Sequence, residues 1–330
     1  MEARTEPRTG PLSRRARRVP APALVLCSVV SIQIGQALGK HLFDSAGPMG
    51  VVALRLGFSA VLLCVLWRPR LPVGRRERLL VVAFGTAIAG MNVIYLALRH
   101  LPLGVAVAIQ LLGPLAVVLL MSRRLRDLLW GLLAGAGLLL FTAPSFTGGP
   151  GAGRPLPAAG VVLALAGAVA MGAYLLLSRR AGRLAVDGSP LALAVAWAAL
   201  LWVPAGVAES GARLARPEVL SAGLAVAVLS AAGPYSLELA ALRRLPPRVV
   251  GVLQNLEPVA AGLAGLAILG EMLSPAQWTA VCCITAAAVG AVVTQGRAAP
   301  ADGSRGPGSP SRPWRSASRG TGTPRPVPRR

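Results

Sequence analysis

Ten apolar runs, each about 20 residues long, follow one another along nearly the whole chain. Each is long enough to cross a hydrocarbon core of ~30 Å at ~1.5 Å per residue. Lipid offers the backbone no hydrogen-bond partner, so such runs are expected to be helices. They fall at roughly 23–43, 49–67, 79–98, 103–122, 127–144, 157–178, 190–208, 219–242, 248–269 and 275–295. The apolar share of 54% and mean hydropathy of +0.63 agree, since soluble domains carry roughly 45–50% apolar residues. The first run follows a basic tail, lacks a small-residue cleavage site and is long enough to stay as an anchor, so no cleavable signal peptide is expected.

At an offset of 144 residues the chain repeats itself. Ala97-Leu98-Arg99 recurs as Ala241-Leu242-Arg243, Leu101-Pro102 as Leu245-Pro246, Gln110 as Gln254, Pro114 as Pro258 and Ala116 as Ala260. Asp127 and Glu271 correspond at the same offset. Leu/Ala-rich helices share an identity or two by chance, but not matched Gln, Pro and Arg at one spacing. Five spans precede the second copy, and an odd number forces that copy to enter the membrane upside down. Inverted repeats of this kind build secondary transporters. The expected fold is an all-α membrane protein of ten transmembrane helices in two inverted five-helix repeats. Its parts are a disordered basic tail (1–22), a first repeat (23–144), an external linker (145–156), a second repeat (157–295) and a second disordered basic tail (296–330).

A net charge of +22 invites a nucleic-acid reading, but its distribution opposes one. Twenty-eight of the 34 basic residues fall in the two tails and in the loops after spans 2, 4, 6 and 8. The opposite side receives only Lys40, Arg99, Arg154, Arg213 and Arg216, while Arg55 lies inside span 2. Basic residues are retained on the cytoplasmic side, so both termini are expected there. A nine- or eleven-span chain would spoil the alternation. Cys27, Cys64, Cys282 and Cys283 all lie in spans and imply no disulfide framework; with only His41 and His100 besides, no metal centre is expected.

Ionisable groups within a membrane are costly and usually functional. Arg55, Glu238 and Glu257 are such groups. Gln254, Glu257 and Pro258 share a helix face at i, i+3 and i+4, with Asn255 beside them, and Gln110 with Pro114 form the counterpart in span 4. Each proline removes a backbone donor and is expected to open its helix. Span 8 repeats the pattern with Pro234, Tyr235 and Glu238. Gln33, Gln36 and Lys40 stripe span 1, Asn92 and Tyr95 lie at i, i+3 in span 3, and span 6 adds Tyr174. Spans 1, 3, 4, 6, 8 and 9 are therefore expected to line one cavity. Two roles compete for Arg55: holding a substrate carboxylate, or pairing with Glu257. The glutamines serve equally well as interhelical glue, and Glu271 is expected to cap the helix that follows it.

Ser31-Ile32-Gln33 with Ala37-Leu38-Gly39-Lys40, Gly90-Met91-Asn92 with Tyr95-Leu96, and Pro102-Leu103-Gly104 resemble the threonine/homoserine exporter branch of the EamA drug/metabolite transporters. So do Gly113-Pro114-Leu115-Ala116-Val117, Pro234-Tyr235-Ser236-Leu237-Glu238, Glu257-Pro258 and Leu269-Gly270-Glu271. The resemblance covers roughly residues 24–295. It implies a bacterial inner-membrane exporter of small amino-acid-like metabolites, exchanging them with protons and needing no cofactor; a homodimer is compatible with it. Cargo transfers least well, which leaves another small metabolite or a drug as the alternative. One departure stands out: Gln110 occupies a position where the branch commonly carries an acid, so proton coupling would rest on Glu238 or Glu257. A membrane enzyme would need an interfacial Asp, His or Ser constellation, and the sequence offers none. Broken, paired, inverted helices argue for a carrier over a channel.

Overall fold

The computed structural model describes residues 20–72, 74–121, 125–142, 156–181, 189–242 and 244–296. Both expected tails, apart from their innermost residues, and nearly all of the 145–156 linker lie outside them. Among the described residues there are helices and no strands. They are α1 (Ala21–His41), α2 (Phe43–Trp67), α3 (Arg75–Met91), α4 (Ile94–Ala97), α5 (Leu103–Met121), α6 (Leu125–Thr142) and α7 (Ala158–Ala181). Then come α8 (Ser189–Ser210), α9 (Pro217–Ala227), α10 (Gly233–Leu242), α11 (Pro247–Gln254), α12 (Glu257–Leu269) and α13 (Pro275–Gly296). A 3₁₀ turn (Gly211–Ala215) precedes α9, and a π-helical turn (Val228–Ala232) joins α9 to α10.

Eight helical stretches are long and apolar enough to cross a membrane; the apolar segments Leu128–Leu140 and Pro217–Ala231 are shorter. Many large apolar side chains point outward, among them Leu120, Leu139, Val65 and Val169. Such a surface suits lipid and not water.

Local chemistry sets the helix ends. Proline stands in the first turn of α1, α9, α11 and α12, where a missing N–H costs no helical bond. Ser274 and Gln277 cap α13 reciprocally, the Gln277 N–H donating to Ser274 Oγ and the Ser274 N–H to Gln277 Oε1. Gly270 closes α12 at φ 67°, a left-handed position that glycine occupies without strain. Gly47, at φ 64° before Pro48, kinks the start of α2.

The core is rich in Ala, Val and Leu, and small residues let helices approach closely. A Cβ on Gly113 of α5 would lie 1.8 Å from the Ala168 carbonyl oxygen of α7. One on Gly104 would lie 2.7 Å from the Cα of Gly262 in α12. The most extensive packing joins α2 to α8, α6 to α13 and α5 to α7, with α1 laid against α10 and α12. Elements of the two sequence halves therefore interdigitate.

The prolines behave less symmetrically than the repeat suggests. Pro258 begins α12 after a break at Asn255–Leu256, whereas α5 runs unbroken through Pro114. In the first half the break falls instead between α3 and α4, at Asn92–Val93.

Candidate functional site

Arg55 faces the core from the middle of α2 and is 8% exposed. Its Nη1 donates to Asn92 Oδ1, its Nε to Ser230 Oγ at 2.7 Å and its Nη2 to the Ser230 carbonyl at 3.2 Å. The guanidinium carbon lies 5.5 Å from the centre of the Tyr95 ring, a cation–π distance. These partners are all neutral. Among the described residues no carboxylate lies within ion-pair distance of Arg55, so of the two roles open to it the pairing with Glu257 is not formed. A buried guanidinium with five donors and neutral partners alone is an arrangement that favours an incoming anion.

The partners are themselves held. Asn92 ends α3, and its Nδ2 donates to the Ile88 carbonyl at 2.7 Å, which fixes Oδ1 toward Arg55. Ser230 lies in the π turn, and Pro234 four residues later has no N–H. The Ser230 carbonyl thus lacks an α-helical donor four residues on and accepts from Arg55 Nη2. Ser31 Oγ donates to the adjacent Leu229 carbonyl at 2.7 Å, so α1 supports the same turn. Gly35 of α1 permits this contact, since a Cβ there would lie 2.8 Å from Ser230 Cβ. In span 8 the helix does not open but continues through a π turn, and the Ser230 carbonyl binds an arginine of span 2, a span left out of the expected lining.

A second cluster joins Glu238 of α10 to Gln254 of α11, whose Nε2 donates to Glu238 Oε1 at 2.9 Å. Glu257 opens α12 one turn beyond Gln254, and the carboxyl groups of Glu238 and Glu257 are close enough to act on one another electrostatically. Ser230 and Glu238 are eight residues apart, about 12 Å along a helix. The arginine and carboxyl clusters thus occupy different depths.

The remaining sequence candidates divide. Gln110 Nε2 donates to the Met91 carbonyl at 2.9 Å and ties down the α3–α4 break, so it acts on the backbone. Gln33, 1% exposed, and Asn255, 8% exposed, are buried with amide atoms that have no protein partner. Such atoms are uncommon in protein interiors. The Ser59 hydroxyl is likewise unpartnered and borders a narrow cleft beside Arg55 and Asn92. The Tyr235 side chain lies outside what the structure describes.

The ends of the helices opposite the Arg-rich loops carry two clasps. Lys40 Nζ lies 2.6 Å from Glu271 Oε1 and donates to the Leu101 carbonyl at 2.6 Å. Glu271 Oε2 accepts the Leu103 N–H at 2.7 Å, so it caps α5 and not the helix that follows it, a correction to the sequence expectation. Glu209, unremarked in the sequence, accepts the N–H groups of Met49 and Gly50 at 2.7 and 3.2 Å, just past the Gly47-Pro48 kink. Ser210 Oγ donates to the Ala46 carbonyl beside it. Both clasps join the first sequence half to the second. The four cysteines are free, and Cys27 and Cys282 are exposed rather than buried. No group of three or more potential metal ligands occurs among the described residues.

A buried arginine cluster and a half-buried carboxyl cluster inside an apolar helical bundle suit a membrane transporter. The EamA-like transporter family model matches residues 158–293. The threonine/homoserine exporter RhtA of Salmonella typhimurium is 40% identical over 292 residues, covering 86% of this chain and 95% of its own. RhtA of Escherichia coli K12 is 40% identical over 275 residues, covering 82% and 90%. A solved crystal structure matches with a TM-score of 0.54 at 19% identity, over 86% of this chain and 99% of its own; that likeness concerns fold alone. This chain belongs to the EamA-like transporter family. It is a multi-span membrane transporter of small metabolites, not an enzyme.

Proposed function

We propose that this chain exports small amino acids, threonine and homoserine among them, from the cytoplasm by proton-coupled alternating access. In this reading ten helices cross the inner membrane as two inverted five-helix repeats, and both termini are cytoplasmic. The matched motifs at one offset, the charge alternation of the loops and the names of the 40% identical relatives support it.

The observation that carries the substrate class is Arg55, a buried cation with neutral partners only. A substrate carboxylate takes over donors now given to Asn92 and Ser230, and Ser59 and Gln33 supply further polar atoms for the rest of the amino acid. Glu238 and Glu257 carry the proton. Because about two helical turns separate them from Ser230, one amino acid does not bridge both clusters, and coupling runs through the Pro234 segment of α10. The clasps Lys40–Glu271 and Glu209–α2 close the external end, and both release when that end opens.

Counterflow in proteoliposomes tests this reading. Threonine is expected to be taken up against preloaded threonine, and threoninol, which keeps the ammonium and hydroxyl but lacks the carboxylate, to compete at least tenfold less well. That factor corresponds to one charge-assisted hydrogen bond, about 1.5–3 kcal/mol. Equal competition by threoninol removes Arg55 as a carboxylate anchor.

A further inference from the structure

α5 crosses α7 tightly on both sides of Pro114 and then leads to the Arg-rich end of the bundle. The tight crossing lies where Gly113 meets Ala168 and Gly172 meets Val117 and the Gly113 carbonyl. Beyond it, between Met121 of α5 and Ala173–Arg180 of α7, a cleft of about 370 Å³ has opened. It is lined by the apolar side chains of Met121, Ala173, Leu176 and Leu177 and, in the last turn of α7, by the exposed Arg179 and Arg180.

The cleft belongs to the outer surface of the bundle and not to the Arg55 cluster. Ala173 and Leu176 continue a stripe of α7 whose members Val162 and Val169 are 63% and 75% exposed, and Leu120 of α5, beside Met121, is 86% exposed. In a membrane this stripe meets acyl chains, and the two arginines, in the last turn of the helix, meet headgroups. An apolar trough below two cations matches the amphipathy of a lipid with a negatively charged headgroup. A soluble anion would leave the trough uncovered, and a zwitterionic lipid would offset the attraction with its own cation.

We propose that the α5–α7 cleft is a binding site for an anionic phospholipid, its phosphate held by Arg179 and Arg180 and an acyl chain laid along Leu176 and Val169. The site depends on the chain spanning a membrane and not on what it exports. The bound lipid fills the gap between α5, which carries Gln110, and α7, which packs against the α3–α4 break that Gln110 ties down.

The test uses the full-length protein purified in mild detergent. Phosphatidylglycerol is expected to raise its thermal transition, and phosphatidylcholine to leave it unchanged. Arg179→Gln/Arg180→Gln is expected to weaken the phosphatidylglycerol effect about 30-fold in lipid concentration, at roughly 1 kcal/mol per basic residue near an anionic surface. The same charge loss elsewhere on that end, Arg75→Gln/Arg76→Gln, is expected to leave the effect in place. Equal weakening in both variants, or none in the first, overturns the site. An equal shift with glycerol phosphate also overturns it in favour of a soluble anion. Should the double variant fail to fold, a photoreactive side chain at Met121 in otherwise unaltered protein decides: capture of phosphatidylglycerol over phosphatidylcholine is expected, and equal capture overturns the proposal. Threonine counterflow by the same preparations reports the transport reading separately.

Discussion

Arg55 and Glu257 make opposite demands on their surroundings. Arg55 has three neutral hydrogen bonds and an aromatic face, enough to keep a guanidinium in the core but not to match its charge. Arg55→Gln is therefore expected to keep the fold and to lower threonine counterflow by at least tenfold, read against protein level by gel filtration of a fluorescent fusion. Normal counterflow in that variant would mean that the guanidinium is only structural. Glu257 stands at the positive end of α12, beside Glu238. Glu257→Gln removes the exchangeable proton and keeps the shape. The expected outcome is threonine–threonine exchange near the wild-type rate with no accumulation driven by a pH gradient; accumulation would exclude this residue as the carrier. Arg55, Glu238 and Glu257 were legible in the sequence because charge inside an apolar run is conspicuous. Ser230 was not, since a serine in a small-residue helix looks like packing; its only signal was Pro234 four residues on, which has no N–H to offer the Ser230 carbonyl.

Within elements, strain and charge are placed where motion is needed. Pro234 lies in a helix, where a proline commonly costs about 3 kcal/mol, and the π turn before it holds Arg55. Pro234→Ala is expected to raise or preserve thermal stability, because a helical donor for the Ser230 carbonyl returns, while the apparent threonine affinity falls several-fold. Unchanged affinity would detach this turn from binding. The Lys40–Glu271 clasp is partly exposed, with the side chains at 18% and 16%, and joins helices from both halves. Lys40→Met is expected to favour the open external end and to increase labelling by membrane-impermeant reagents of a cysteine introduced at Leu101, whose carbonyl Lys40 now holds. Labelling unchanged from the parent would show that the clasp does not gate. The sequence placed Lys40 and Glu271 at the same end of the bundle. Their pairing was not legible, because it depends on the α5–α12 crossing at Gly104 and Gly262, a contact between residues far apart in the chain. Glu209 escaped for the same reason, its partners being backbone N–H groups 159 and 160 residues away.

At the scale of the whole molecule, hydropathy foretold an all-helical, multi-span chain, while of the ten expected spans eight are long and apolar enough to cross a membrane and Leu128–Leu140 and Pro217–Ala231 are shorter. A long apolar segment satisfies its own backbone in lipid by forming a helix, and the helix ends follow prolines and glycines that are visible in the sequence. The helix breaks were harder to foresee. Pro114 and Pro258 match at one offset, yet only the second follows a break, and their matched glutamines also differ: Gln110 donates to the Met91 carbonyl of the α3–α4 break while Gln254 serves Glu238. A matched residue pair therefore marks common design without forcing common geometry. The inversion of the two halves is the claim from which the exit clasp, the entry side and the direction of export all descend. Site-directed labelling measures it directly. With the four native cysteines replaced, single cysteines at Met121, the last residue of α5, and at Met272, after α12, are labelled from outside intact cells with an impermeant maleimide. Both side chains are well exposed, at 64% and 81%. Inverted repeats require Met272→Cys to react from outside and Met121→Cys to react only after the membrane is permeabilised; reaction of both from the same side would contradict the account.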